Sequence, residues 1–98
     1  MPFFEPVKNT KVTIDYDHYQ PVAVISCIES DGKVTPIRFK YAEKDETRVT
    51  VNINEIRNRK AVKGGLSFTC LVTAYGRQKL VTLIFYTEQH IWVMPRIA

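Results

Sequence analysis

The sequence is poor in the residues that carry most catalytic and metal-binding chemistry. Its 98 residues include only two cysteines and two histidines, namely Cys27, Cys70, His18 and His90. No CxxC or HxxxH spacing joins them, so a zinc site would need four distant positions to converge. No local context around either cysteine indicates a Cys–His catalytic pair. We therefore expect two buried structural thiols, no metal and no cofactor.

Longer catalytic signatures are missing as well. No GxxxxGK[ST], GxGxxG, GxSxG or HExxH motif occurs, which argues against phosphate-loop, dinucleotide-binding, hydrolase-elbow and zincin proteins. Without an activated nucleophile or an acid/base pair, we expect a protein that is not an enzyme. Asp15, Asp17 and His18 lie close together, but in a strand His18 would point away from both carboxylates. A turn that favours aspartate explains this group better than a metal site does.

Long apolar runs are also absent. No stretch approaches the roughly 20 residues that span a bilayer, and the N-terminus shows no secretory signal. These absences predict a cytoplasmic protein with no membrane partner. The 45% hydrophobic and 24% charged residues are typical of a globular protein. The length predicts a single β-barrel-like domain over residues 1–98, with residues 1–9 as an extended N-terminal arm.

The clearest feature that is present is a β-hairpin over residues 66–86. Two apolar runs, rich in β-branched and aromatic residues, flank Tyr75-Gly76-Arg77-Gln78. Gly76 provides the positive φ that a tight turn needs. One face of the first run carries Leu66, Phe68, Cys70, Val72 and Ala74. We expect this hairpin to form the centre of an all-β core.

Five further segments are predicted to be strands, because their apolar residues alternate with polar ones or form a short continuous run. They are residues 11–16, 22–28, 37–41, 48–54 and 91–94. Pro36 suggests an edge position for the third of these, and Asp31-Gly32 signals the hairpin turn before it. Residues 55–65 are either a short helix or a basic loop. The fold class is therefore all-β, a small antiparallel β-barrel or meander of about six to seven short strands, with at most one helical turn.

The net charge of +4 is unevenly distributed. Residues 57–98 hold seven Lys and Arg against Glu88 alone. Two groups stand out, the segment with Arg57, Arg59, Lys60 and Lys63, and the hairpin tip with Arg77 and Lys79. Such cations on a barrel can lie along a phosphate backbone, with bases stacked on Tyr41, Tyr75, Tyr86 or Trp92. The alternative to nucleic-acid binding is that these cations lie on a solvent-exposed loop and only keep the protein soluble.

Two functional hypotheses follow. The first is a small non-catalytic binding module that contacts nucleic acid through the basic segment. The second is a protein–protein interaction or self-associating module, in which the protein binds another protein or forms a homodimer. Phe3, Phe4 and Pro36 are its candidate interface residues, because exposed aromatics and an edge strand suit an interface.

Four segments carry a resemblance to known proteins. They are DGKVTPIRFKY at Asp31–Tyr41, RVTVNINEI at Arg48–Ile56, GGLSFTCLV at Gly64–Val72 and LIFYTEQHIWVM at Leu83–Met94. In order and character they resemble a family of short, uncharacterised all-β proteins of Gram-positive bacteria. The resemblance covers about two thirds of the sequence. It implies a small β-barrel and a bacterial source, and it implies no assigned activity.

Overall fold

Six antiparallel strands form the fold in the computed structural model, which describes residues 12–96. They are β1 (Tyr19–Ile28), β2 (Val34–Ala42), β3 (Arg48–Val62), β4 (Gly65–Ala74), β5 (Arg77–Tyr86) and β6 (Ile91–Pro95). Each strand pairs with the next along the chain and β6 pairs with β1, so the sheet closes into a barrel. The predicted all-β barrel is confirmed. Residues 12–96 contain no helix that could cross a membrane.

The hairpin of β4 and β5 is the most regular part of the barrel. All ten residues of β4 pair with β5, from Gly65 opposite Tyr86 to Ala74 opposite Arg77. Tyr75 and Gly76 form the two-residue turn, with φ values of 53° and 76°. Two consecutive positive φ angles are the signature of the type I′ turn, which matches the twist of the flanking strands. The hairpin predicted from the sequence is confirmed.

The core lies against the inner face of β4. Phe68, Cys70 and Val72 alternate along that face and have no exposed surface. Trp92 of β6 is also buried, and its ring lies 5.5 Å from that of Phe68 and 4.8 Å from that of Phe85. The other buried members of the cluster are Phe39, Tyr41, Val51, Leu83 and Met94. Each large apolar side chain buried here stabilises the fold by about 1.5–3 kcal/mol before entropy is counted.

The strand predicted at residues 11–16 is wrong for the described part of that segment, since β1 begins only at Tyr19. Asp15 organises a turn instead. Its backbone oxygen accepts bonds from the amides of His18 and Tyr19, and its side chain accepts one from the amide of Asp17. A short polar side chain that bonds to nearby backbone competes with strand pairing in this way. The carboxylate also lies 2.7 Å from His18 Nδ1, and this hydrogen bond lowers the pKa of Asp15.

The prediction of a helix or loop at residues 55–65 is also wrong, because β3 continues to Val62. This half of β3 pairs with β4, and the register shifts between Ile53 and Glu55 and again between Ile56 and Asn58. Bulges of this kind insert extra residues and break the alternation that marks a strand in the sequence. The turn that follows is Lys63-Gly64, where Gly64 has a φ of 79°.

The first and second halves of β1 pair with different strands, and the same is true of β3. β1 pairs with β6 over residues 19–22 and with β2 over residues 23–28. β3 pairs with β2 over residues 48–52 and with β4 from Ile53 onward. At the base of β1 the buried Gln20 side chain replaces backbone pairing, because its amide bonds to both the N–H and the C=O of Ala42.

Two further predictions need correction. Both cysteines are free thiols, but Cys27 is exposed and only Cys70 is buried, because the second half of β1 lacks a covering layer. Pro36 lies, as predicted, on an edge stretch of β2, which pairs there with β1 alone, but its side chain is buried opposite Ser26 at a register shift and is not an exposed interface contact. Phe3, Phe4 and the predicted arm at residues 1–9 lie outside the described residues.

Candidate functional site

The six basic residues singled out in the sequence do not form one cluster. Arg57, Arg59 and Lys60 lie on β3, and Lys63 lies in the turn that follows. Arg77 begins β5 at the other end of β4. The ten residues of β4 separate Lys63 from Arg77, and at about 3.3 Å per residue this is roughly 30 Å. The charges are thus spread along paired strands rather than gathered on a flexible loop.

Two of these arginines have side-chain partners, Arg59 in a half-buried position and Arg57 on the surface. The Arg59 guanidinium lies 5.1 Å from the centre of the Phe68 ring, and its Nη2 donates to Thr35 Oγ1 at 3.2 Å. Arg57 Nε lies 3.1 Å from Glu55 Oε1. A cation over an aromatic ring stabilises the protein, so Arg59 covers the core at this end of the barrel. Lys60, Lys63, Arg77 and Lys79 remain exposed.

The predicted stacking aromatics are mostly inaccessible. Tyr41 and Trp92 belong to the core, and Tyr86 is half-buried. Tyr75 is the exception, with 74% of its surface exposed at the β4–β5 turn. The hydroxyls of Tyr75 and Tyr41 both donate to Glu43 Oε2, at 2.9 Å and 3.2 Å. The bond to the carboxylate raises the pKa of Tyr75, whereas burial is the main cause that raises the pKa of Tyr41.

A second group of cations, which the sequence did not single out, lies on the outer face of β2 and β3. Alternation along β2 places Arg38 and Lys40 on the face opposite to the buried Phe39 and Tyr41. Their cross-strand neighbours on this face are small or polar. Lys40 lies opposite Ala23 and Thr50, and Arg48 of β3 lies opposite Ala42. Long cationic side chains beside alanines leave a recess between them.

Three recesses follow one another across this face. Their volumes are about 390, 240 and 200 Å³. The first two share Gln20, Ala42, Arg48 and Arg96, and the last two share Ala23 and Lys40. They therefore form one continuous groove. We call it the basic groove and define it by its cations Arg38, Lys40, Arg48 and Arg96.

The basic groove is positive along most of its length. Glu43 and Glu46 line only the largest recess, and every charged residue that lines the other two is a cation. The ion pairs within residues 12–96 are Asp15–His18 and Glu55–Arg57, so none of the four groove cations has a carboxylate partner there. Unpaired cations in a recess attract anions more strongly than the same charges on a convex surface.

Backbone contacts hold one end of the groove in place. Arg96 follows β6, and its Nε donates to the carbonyl oxygen of Tyr16 at 2.8 Å. Its backbone N–H donates to the carbonyl oxygen of His18, also at 2.8 Å. Gln20 lines the same two recesses as Arg96, and its amide is already bonded to the backbone of Ala42. The groove therefore has a fixed polar floor at this end.

Sequence reasoning missed the basic groove because its members are distant along the chain. Arg38 lies on β2 and Arg96 follows β6, so four of the six strands separate them along the chain. Alternation along the strands predicted at residues 37–41 and 48–54 places Arg38, Lys40 and Arg48 opposite the apolar residues of those strands. The missing information was the register, which places β2 between β1 and β3 and brings these side chains together.

No protein-family model, curated protein or solved structure matches this chain. The resemblance to uncharacterised β proteins of Gram-positive bacteria therefore stays a prediction. Residues 12–96 contain no group of three or more His, Cys, Asp or Glu residues that could hold a metal ion. The features that bear on function are therefore the basic groove and the exposed second half of β1 beside it.

Proposed function

We propose that this protein is a small non-catalytic binding module that holds single-stranded nucleic acid along the basic groove. The observation that carries the proposal is the row formed by Arg38, Lys40 and Arg48, three neighbouring cations on one outer face that have no ion-pair partner among residues 12–96. Phosphates release condensed counterions when lysine and arginine neutralise them, and this release supplies much of the affinity in nucleic-acid complexes. Arg96 extends the row at one end.

Exposed tyrosines near the largest recess favour a single strand over a duplex. Tyr75 bonds to Glu43, which lines that recess. Tyr16 is 45% exposed, and its carbonyl oxygen holds the side chain of Arg96. Unpaired bases stack on accessible aromatic rings, whereas a duplex buries its bases within its own stack. Single-strand binders combine a positive groove with aromatic rings on which bases stack.

A cytoplasmic setting fits this proposal. Cys27 carries an exposed free thiol, and such thiols persist in reducing compartments. Nucleic acids are then the abundant polyanions that the basic groove meets.

The test uses two variants that each remove three positive charges. Arg38→Gln/Lys40→Gln/Arg48→Gln neutralises the groove, and Lys60→Gln/Lys63→Gln/Lys79→Gln neutralises exposed cations of the two groups favoured by the sequence. Fluorescence anisotropy with labelled single- and double-stranded oligonucleotides, at several salt concentrations, measures binding. We expect the groove variant to lose at least about 10-fold in affinity for the single strand, and its salt slope to fall by about 2. The matched control should lose much less.

Three results would overturn parts of this proposal. Equal losses in the two variants would show a general effect of net charge and remove the groove as the site. A larger loss in the control variant would return the site to the two groups of cations favoured by the sequence. No binding by the unmodified protein at low salt would remove nucleic acid as the ligand.

A further inference from the structure

The second half of β1 forms an open sheet edge. Beyond Val22, β1 pairs with β2 alone, because the five-residue β6 reaches no further than Val22. Within residues 12–96 no strand pairs with the other side of residues 23–28. The backbone groups along such an edge are a template for another strand.

The other open edges in the described residues carry features that discourage pairing. β5 lacks a β6 partner before Ile84, and this stretch carries Arg77 and Lys79. β3 lacks a β2 partner after Asn52, and the charged residues there include Glu55, Arg57 and Lys60. The open part of β2 contains Pro36, which has no N–H to donate. Charges and prolines are the usual devices that keep sheet edges from pairing with other chains.

The open edge of β1 has neither device. The ten residues of β1, YQPVAVISCI, include no charged residue, and the only proline precedes the open stretch. Its side chains are exposed as well, since Ile25 and Ile28 show 57% and 71% of their surface. Ile37 of the neighbouring β2 is also exposed. These three isoleucines are half of the large apolar residues that the described chain exposes.

We infer that residues 24–28 of β1 pair antiparallel with the same residues of a second copy of this chain, so that two barrels join through a continuous sheet. The occupant is a second copy because the strand is neutral, which lets two chains of net charge +4 meet without like charges in contact. A strand that pairs with itself about a two-fold axis forms the closed, symmetric dimer that most homo-oligomers adopt.

Charge complementarity at the ends of the paired strands supports this occupant. A register centred on Ser26 pairs residues 24–28 of the two copies and places Glu29 of one copy opposite Ala23 of the other. Ala23 lines a recess of the basic groove together with Lys40 and Arg96. The β1–β2 turn carries two carboxylates, Glu29 and Asp31, and one cation, Lys33. In the dimer these carboxylates therefore approach the unpaired cations of the second copy. Because a five-residue pairing buries less than the roughly 800 Å² per partner of standard interfaces, the dimer is weak and concentration-dependent.

The experiment compares two variants that place a lysine at equally exposed positions. Ile25 and Leu80 are both 57% exposed, but only Ile25 lies on the open edge of β1. Sedimentation velocity from about 5 to about 500 µM protein, in reducing buffer, gives the mass. We expect the unmodified chain and Leu80→Lys to approach twice the monomer mass at high concentration. Ile25→Lys should dimerise at least about 10-fold more weakly.

A second readout locates the interface on the unmodified chain. Cys27 lies on the paired stretch, so its alkylation should slow several-fold at concentrations where the mass doubles. Cys70 is buried, so its protection shows that the barrel remains folded. A monomer at every concentration would overturn the inference, as would equal effects of the two lysines. Mass doubling with an unchanged Cys27 rate would place the dimer interface elsewhere. Since no nucleic acid is present, these outcomes are independent of the ligand proposed for the basic groove.

Discussion

The β1–β2 and β4–β5 hairpins are built from similar sequences and have opposite environments. β1 contains VAVISCI and β4 contains LSFTCLV, each with one cysteine among β-branched and apolar residues. In β4, Phe68 and Cys70 have no exposed surface. In β1, Ile25 and Cys27 are exposed. The residue types are alike, so composition does not explain the difference.

The difference lies in how the strands are flanked. β4 has β3 on one side and β5 on the other along nearly its whole length. The second half of β1 has only β2. A strand flanked on both sides lies inside a curved sheet whose inner face packs on the core, whereas a two-stranded ribbon has no third strand to curve it over the core. An apolar strand is therefore buried only where its neighbours continue beside it.

The largest expected contrast between the hairpins comes from removing one apolar side chain from each. Phe68→Ala should lower the free energy of unfolding by about 3–5 kcal/mol, because it leaves a cavity in the core and removes the ring beneath Arg59. Ile25→Ala should cost less than about 0.5 kcal/mol, because Ile25 is largely exposed. Urea denaturation at low protein concentration measures both. If Phe68→Ala does not fold, Phe68→Leu serves in its place. A loss of unfolding free energy no larger than that of Ile25→Ala would contradict the difference in burial.

A glycine in each hairpin gives a smaller contrast. A Cβ atom at Gly65 would collide with the backbone carbonyl oxygen of Phe85, so Gly65→Ala should cost about 2–3 kcal/mol. Gly32 in the β1–β2 turn has open space around it but a φ of 87°. Gly32→Ala should therefore cost only about 1 kcal/mol, from backbone strain alone. Thermal unfolding of the two variants checks the order, and a larger loss at Gly32 would contradict it.

The two cysteines give the smallest contrast, which depends on pH. Burial raises the pKa of Cys70 to about 11, from an ordinary value of 9.0. Between these values the unfolded chain loses this proton and the folded chain keeps it, so stability falls as the pH rises. Between pH 8 and pH 10 the free energy of unfolding should fall by about 1 kcal/mol more in the unmodified chain than in Cys70→Val, which lacks the titrating group.

The control for this pH dependence is Cys27→Ser. This variant retains the buried Cys70, so its stability should fall from pH 8 to pH 10 as that of the unmodified chain does. The same pair can be followed by alkylation, in which Cys27 reacts in the folded protein and Cys70 reacts only after unfolding. Parallel stability curves for the unmodified chain and Cys70→Val would show that Cys70 does not retain its proton.

Much of the fold was predictable because it depends on local signals. The turn at Tyr75-Gly76 and the alternation through Phe68, Cys70 and Val72 act within a few residues, and both predictions are confirmed. The failures occurred where a local signal was masked. Bulges interrupted the alternation in the second half of β3, and the Asp15 side chain formed a turn where alternation predicted a strand.

The candidate site was less predictable for a different reason. Clustering along the sequence pointed to Arg57, Arg59, Lys60 and Lys63, yet two of these side chains have partners within the fold. The basic groove draws instead on β2, β3 and the residue after β6. The outward direction of Arg38, Lys40 and Arg48 was predictable from alternation, but their proximity to one another and to Arg96 depends on strand register.

The sequence by itself determined that this chain is an all-β protein with a central hairpin, because alternation and turn residues act locally. It also determined the charges and apolar residues that each strand contributes. The tertiary structure alone decided which of two similar apolar strands is buried, and which scattered cations share one groove. Burial and charge proximity depend on the strands that lie beside a given strand. Many of these strands are distant along the chain and come together only when the barrel closes.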